Sequence, residues 1–193
     1  MTTRLYRRLD VDERRAQLLE VGTELFSKHS FEELSMAAIA REAGISKALL
    51  YHYFPSKEEF FKAALGQAAA ELATLTAPDD SLPPLEQVRG STRAFVTWIG
   101  ERGPAYMKLL RSVGAVPELR ETMTAIRDLT SARIIDGLIP ERERTPAKRA
   151  AVRAWLWFMD GVLLDWIEHG DRDAEDVADG LVDSLTALLA AAK

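Results

Sequence analysis

Apolar residues recur at three- and four-residue spacing along nearly the whole chain. No stretch alternates apolar and polar side chains as a half-buried strand would. The pattern predicts an all-α fold of about nine helices. Asp10 or Asp12 starts the first, with Leu18, Leu25 and Phe26 on its inner face and Gly22 permitting close packing against the second. Phe31 and Leu34 close the loop before Ser35, which is placed to cap a helix with Ile39, Ala40 and Ala43 on its buried face. Gly44 follows where a helix ends in the left-handed conformation that glycine adopts without steric penalty. Ile45 plugs the angle, and Ser46 caps a third helix with Leu49, Leu50 and Phe54 inward. Ser56 and Glu59 form a capping box for a fourth helix that runs to about Thr76. The segment Ala77 to Pro84, APDDSLPP, is a proline-rich break and, on the pattern alone, the expected domain boundary. Beyond it, helices are expected at about 85–101, 105–114 and 117–138. Another runs from Thr145 and Pro146 to Gly170, and the last from Asp173 to Ala191.

The side chains left outside this apolar pattern carry the chemistry. Helix, glycine turn and helix make the arrangement whose second helix enters a DNA major groove. With Leu50 and Phe54 inward, Lys47, Ala48, Tyr51 and His52 face solvent. A tyrosine or histidine there can donate to phosphate oxygens or rest a ring on a thymine methyl. Lys57 lies in the first turn of the next helix, a placement that suits phosphate. Taken singly, Tyr51, His52 and Tyr53 read as ordinary half-buried aromatics. Together with the glycine turn and Lys57 they point to DNA.

The run Tyr51, His52, Tyr53, Phe54, Pro55, Ser56, Lys57 resembles the signature that ends the helix-turn-helix of the TetR/AcrR family of bacterial transcriptional regulators. The likeness covers about residues 12–62. It implies that Ser35 and Tyr51 hold the DNA backbone, that Lys47, Ala48 and His52 face bases beside the capping Ser46, and that Tyr53 and Lys57 contact phosphate. Two positions depart from the family pattern: Leu49 stands where a small or polar residue is common, and Ala48 where glycine is frequent. Base preference is therefore not transferable from a relative. The resemblance also divides the chain into a DNA-binding domain, 1–62, and a helical effector-binding and dimerisation domain, 63–193.

Charge does not oppose this reading. Residues 1–62 hold ten Lys+Arg and ten Asp+Glu, whereas residues 63–193 hold fifteen and twenty, so the whole net charge of −5 lies in the second part. Arg4, Arg7, Arg8, Arg14 and Arg15 cluster at the start, either as an arm toward DNA or as a solvated tail. The chain has no cysteine, which excludes disulfides, thiolate zinc sites and cysteine nucleophiles. No apolar run reaches the ~18 residues of a membrane span, and a cytoplasmic protein without membrane contact is expected. His29, His52 and His169 are not paired at metal-binding spacing, Asp160 and Asp165 read as solvated or capping charges, and no phosphate-cradling glycine loop occurs. The composition asks for no cofactor and does not favour an enzyme.

The helix after Thr145 is apolar on two sides. Val152, Trp155, Met159, Val162, Leu163 and Trp166 form one stripe, and Ala154, Trp157, Phe158, Gly161 and Leu164 another. One stripe can face the chain's own core; the other fits the same helix of a second copy around Gly161. Val182, Leu185 and Leu189 of the last helix extend that expected homodimer interface. The plainer alternative is one helix wholly inside a monomeric core. Phe95, Trp98, Tyr106, Met107, Leu110, Met123, Ile126, Trp155 and Met159 are the expected lining of a cavity for an apolar or aromatic small-molecule effector. Any helical core contains such residues, so taken one by one they read as packing. The sequence-level function is a homodimeric repressor released from a pseudo-palindromic double-stranded DNA operator by that effector. The alternative is a DNA-binding interaction or nucleoid-associated protein without one.

Overall fold

Short polar side chains start most of the helices in the computed structural model, which describes residues 11–192. Backbone N–H groups of the first turns would otherwise lack partners. Ser35 Oγ accepts from the Ala38 N–H at 3.2 Å, Ser46 Oγ from Leu49 at 3.1 Å and Ser56 Oγ from Glu59 at 3.1 Å. Thr145 and Asp173 do the same for Lys148 and Asp176, at 3.2 and 2.8 Å. The resulting elements are α1 (Val11–Lys28), α2 (Met36–Glu42), α3 (Lys47–Tyr53), α4 (Lys57–Leu75), α5 (Pro84–Ala115), α6 (Pro117–Leu138), α7 (Pro146–His169) and α8 (Ala174–Ala191). A single 3-10 turn, Glu141–Glu143, precedes α7. Asp10, Arg4, Arg7 and Arg8 lie outside the described residues.

The fold is all-helical, with eight α-helices among the described residues against about nine expected. The difference lies in α5, where the segments expected at 85–101 and 105–114 are continuous. Pro104 does not end the helix; it kinks it, with the distortion absorbed at Arg102 (φ −125°, ψ 17°). Gly103 lets this bend lie against α7, since a Cβ there would stand 3.0 Å from Ile167 Cγ2.

Two apolar clusters organise the molecule. The first joins α1–α4 through Leu18, Ile39, Leu50, Phe54 and Phe60, and extends to Val113, Val116, Leu119 and Met123 at the α5–α6 corner. Gly22 serves here, but against α4 rather than the second helix, because a Cβ would lie 2.6 Å from the Phe60 ring. The second cluster packs α5, α7 and α8 through Val96, Ile99, Trp155, Leu163, Leu181 and Leu185. Trp155 Nε1 donates to the Leu181 carbonyl at 2.9 Å and to Ser184 Oγ at 3.1 Å, which fixes the register of α7 on α8. Arg89 with Asp179 (2.6 Å) and Arg93 with Glu175 (2.9 Å) tie α5 to the same helix. Among the described residues no helix is long and apolar enough to cross a membrane.

Candidate functional site

Burial of Leu50 and Phe54 rotates α3 so that its opposite face stands clear of the protein. Gly44, at φ 66°, makes the turn that sets α3 at an angle to α2. Lys47, Ala48, Tyr51 and His52 are exposed, and Tyr53 is half-buried with its ring edge-on to His52. The Lys47 ammonium lies 5.6 Å from the centroid of the Tyr51 ring. Leu49 was expected inward, but it is 36% exposed and joins the outward face. Seven residues give only about two turns, and Leu50 with Phe54 already fill the buried edge, so Leu49 points away. Ser35 and Ser46 are exposed caps whose hydroxyl hydrogens remain able to donate outward.

Lys57 stands in the first turn of α4, as expected, and its ammonium finds partners within the chain. Its Nζ donates to the carbonyls of Phe31 (2.9 Å) and Leu34 (3.1 Å) and lies 3.9 Å from the Phe31 ring centroid. The ammonium is bound to the chain's own α1–α2 loop. Arg15 of the basic N-terminal group leans over Phe54, at 5.2 Å, behind the same helix.

Below this domain, α1, α4, α5, α6 and α7 enclose a cavity of about 1570 Å³. That exceeds the ~300–1,000 Å³ of ordinary small-molecule sites, and its lining runs from Glu20, Thr23 and Glu24 of α1 to Trp155 and Asp160 of α7. Phe95, Trp98, Tyr106, Met123, Ile126, Trp155 and Met159 line it, as expected positions. Met107 and Leu110 do not: Leu110 faces the packing between the two apolar clusters, and Met107 also stands off the wall. Along this stretch of α5, Pro104, Ala105, Tyr106 and Lys108 border the cavity and Met107 does not.

Asp160 corrects the sequence reading more sharply. It is buried rather than solvated, accepts the Tyr106 hydroxyl proton at 2.5 Å, and pairs with Arg127 of α6. Burial, reinforced by the Asp160 carboxylate, raises the Tyr106 hydroxyl well above its ordinary range, so it remains a donor. Periodicity gave no sign of this triad, because its members lie 33 and 54 residues apart in sequence. Asp165 does stay exposed, beside Arg172 and His169.

On the far side of α7, Trp157 is 64% and Phe158 49% exposed, flanked by exposed Ala154 and Gly161 and half-buried Leu164. A Cβ on Gly161 would meet nothing within 4 Å. Val182 and Leu185 do not extend this face: both are fully buried within the protomer, Leu185 in the second cluster. Leu189 is half-buried against that core, and Leu188, 38% exposed, takes the outer position on α8.

The profile of the bacterial regulatory proteins of the tetR family matches residues 18–64, the helices just described around α3. A Mycobacterium tuberculosis regulator assigned to mycofactocin biosynthesis is 30% identical over 159 residues, spanning 80% of this chain and 78% of that protein. The chain belongs to the TetR family. A TetR-family regulator from Streptomyces coelicolor superposes with a TM-score of 0.83 at 29% identity, over 95% of this chain and 83% of the other. The nucleoid occlusion factor SlmA of Pasteurella multocida is 44% identical, but over 63 residues, 32% of each chain. As a TetR-family protein, the chain is a DNA-binding transcriptional regulator with a helix-turn-helix, and its relatives are regulators rather than enzymes.

Proposed function

We propose that the protein is a homodimeric repressor that leaves its operator when an apolar or aromatic effector enters the cavity. The observation that carries this is the wall shared by the two sites. Residues Leu65 to Ala73 of α4 and the Thr76 that follows it border the cavity, while the start of the same helix grips the α1–α2 loop through Lys57. Residues 1–62 act as the DNA-binding domain and 63–193 as the effector and dimerisation domain, with α4 passing between them. Ser35, Ser46, Lys47, Ala48, Tyr51, His52 and Tyr53 meet the operator, and Lys57 holds the loop behind them.

Dimerisation uses Ala154, Trp157, Phe158, Gly161 and Leu164, joined by Leu188. Large apolar side chains gathered on a surface mark an association site. Two copies would set their α3 helices one DNA turn, ~34 Å, apart on a pseudo-palindrome. An effector that releases DNA must prefer the weak-binding spacing by several kcal/mol. Genomic fragments selected on the purified protein, followed by anisotropy titrations with apolar compounds, test this. No preference for any fragment over bulk competitor at moderate salt would overturn the proposal. Beside the local likeness to a nucleoid occlusion factor stands a second reading, a DNA-binding interaction or nucleoid-associated protein without a small effector. That reading requires operator affinity to stay constant across all cavity-filling compounds.

A further inference from the structure

The cavity is apolar along much of α5 and α7, although buried Thr92 and Ser112 also border it. Phe95, Trp98, Trp155 and Met159 form its walls, and Tyr106, Arg127 and Asp160 interrupt them. The three are joined: both Asp160 carboxylate oxygens are engaged, Oδ1 by Tyr106 and Oδ2 by Arg127. On its other side the guanidinium carbon of Arg127 lies 3.8 Å from the centroid of the Trp157 ring, and Arg127 also borders a small surface cleft between α6 and α7. The guanidinium is therefore clamped between a carboxylate and an aromatic face. A guanidinium carries five N–H donors, and among the described residues Asp160 is the acceptor that Arg127 meets. The Tyr106 oxygen, having donated its proton, keeps lone pairs.

This wall holds one positive and one negative charge already matched. An anionic head entering here would meet Arg127 but would stand against Asp160. A cationic head would meet Asp160 and stand against Arg127. In either case a charge is left uncompensated where the dielectric is low, which costs more than the new pair returns. A neutral head leaves the pair intact and takes hydrogen bonds from the free guanidinium N–H groups. We propose that Tyr106, Arg127 and Asp160 form the polar subsite of the effector cavity and select an uncharged ligand, an apolar or aromatic body bearing one hydroxyl or carbonyl group. The inference rests on the cavity reading above and adds the head group.

Calorimetric titration of the full chain with naphthol, naphthoate and naphthylmethylammonium tests it, since the three share one ring system. The wild type binds naphthol about tenfold or more tighter than either ion, a difference of ~1.4 kcal/mol. A cavity that is merely apolar would also disfavour ions, so the deciding measurement is Asp160→Asn. That variant keeps one acceptor oxygen, enough for the Tyr106 hydroxyl, and leaves the guanidinium without its carboxylate, and naphthoate becomes the tightest of the three. If Asp160→Asn does not fold, Arg127→Gln gives the opposite reversal, toward the ammonium probe. A wild type that takes either ion as well as naphthol, or a folded variant without reversal, overturns the head-group assignment and leaves the cavity standing. A wild type that binds none of the three overturns the cavity reading itself.

Discussion

At the scale of single residues, side chains around α3 divide into those that face outward and those that hold the face in place. Lys47 and His52 lie on the exposed side, against the rings of Tyr51 and Tyr53. Replacing either with alanine is expected to change which base is preferred at one operator position, by about 1–3 kcal/mol, read by titrating single-base operator variants. Lys57→Met is expected to behave differently. It leaves the Phe31 and Leu34 carbonyls without their donor, so denaturant unfolding should show a loss of about 1–3 kcal/mol. The dependence of affinity on salt should keep its slope. A slope shallower by about one ion with unchanged stability would instead return Lys57 to a phosphate. Tyr106 makes a prediction in pH. Its folded-state value is raised above the ordinary 10.0 by burial and by Asp160, so the native state holds this proton more tightly than the unfolded chain does. The associated stability is complete below pH 10.0 and declines as pH rises beyond it. In Tyr106→Phe the alkaline limb of the melting-temperature profile should be flatter.

At the scale of helices, caps and turns were legible because their causes are local. Ser35, Ser46, Ser56, Thr145 and Asp173 each bond within three residues, and Gly44 and Gly170 take the positive φ that their places demanded. What a helix packs against is not local. The apolar stripe of α8 was readable as buried, yet nothing in its spacing told that Val182 and Leu185 are buried by the same chain instead of a second copy. Gly22 shows the same limit, since its small size was readable and its partner, Phe60, was not. Gly22→Ala must push that ring, and Phe60 is itself fully buried among Phe26 and Phe54. A destabilisation of about 1–3 kcal/mol is expected, measured by urea unfolding. The Asp160 triad was illegible for a related reason: a buried charge is recognised by its partner, and Arg127 arrives from another helix.

At the scale of the whole molecule, the exposed strip on α7 separates two kinds of variant. Gly161→Arg adds a long charged side chain where the protomer leaves open space, so the monomer should fold normally while light scattering reports a halved mass. Leu185→Ala empties a fully buried site and should lower stability by about 2–5 kcal/mol through the chain's own core. An unchanged mass for Gly161→Arg would remove α7 from the interface. The net charge of −5 carried by residues 63–193 should limit their adhesion to nucleic acid, whereas residues 1–62 are neutral.

The 19 residues of α4 make a rod roughly 28 Å long at 1.5 Å per residue. Pivoting it by about five degrees at its cavity end would carry its other tip some ~2.5 Å, close to the length of a hydrogen bond. Because Lys57 is fastened to the backbone of the neighbouring loop, that displacement would not dissipate in a slack joint. A guest only slightly too wide for the interior would thus be magnified, by the gearing of one helix, into a misalignment that a groove can register.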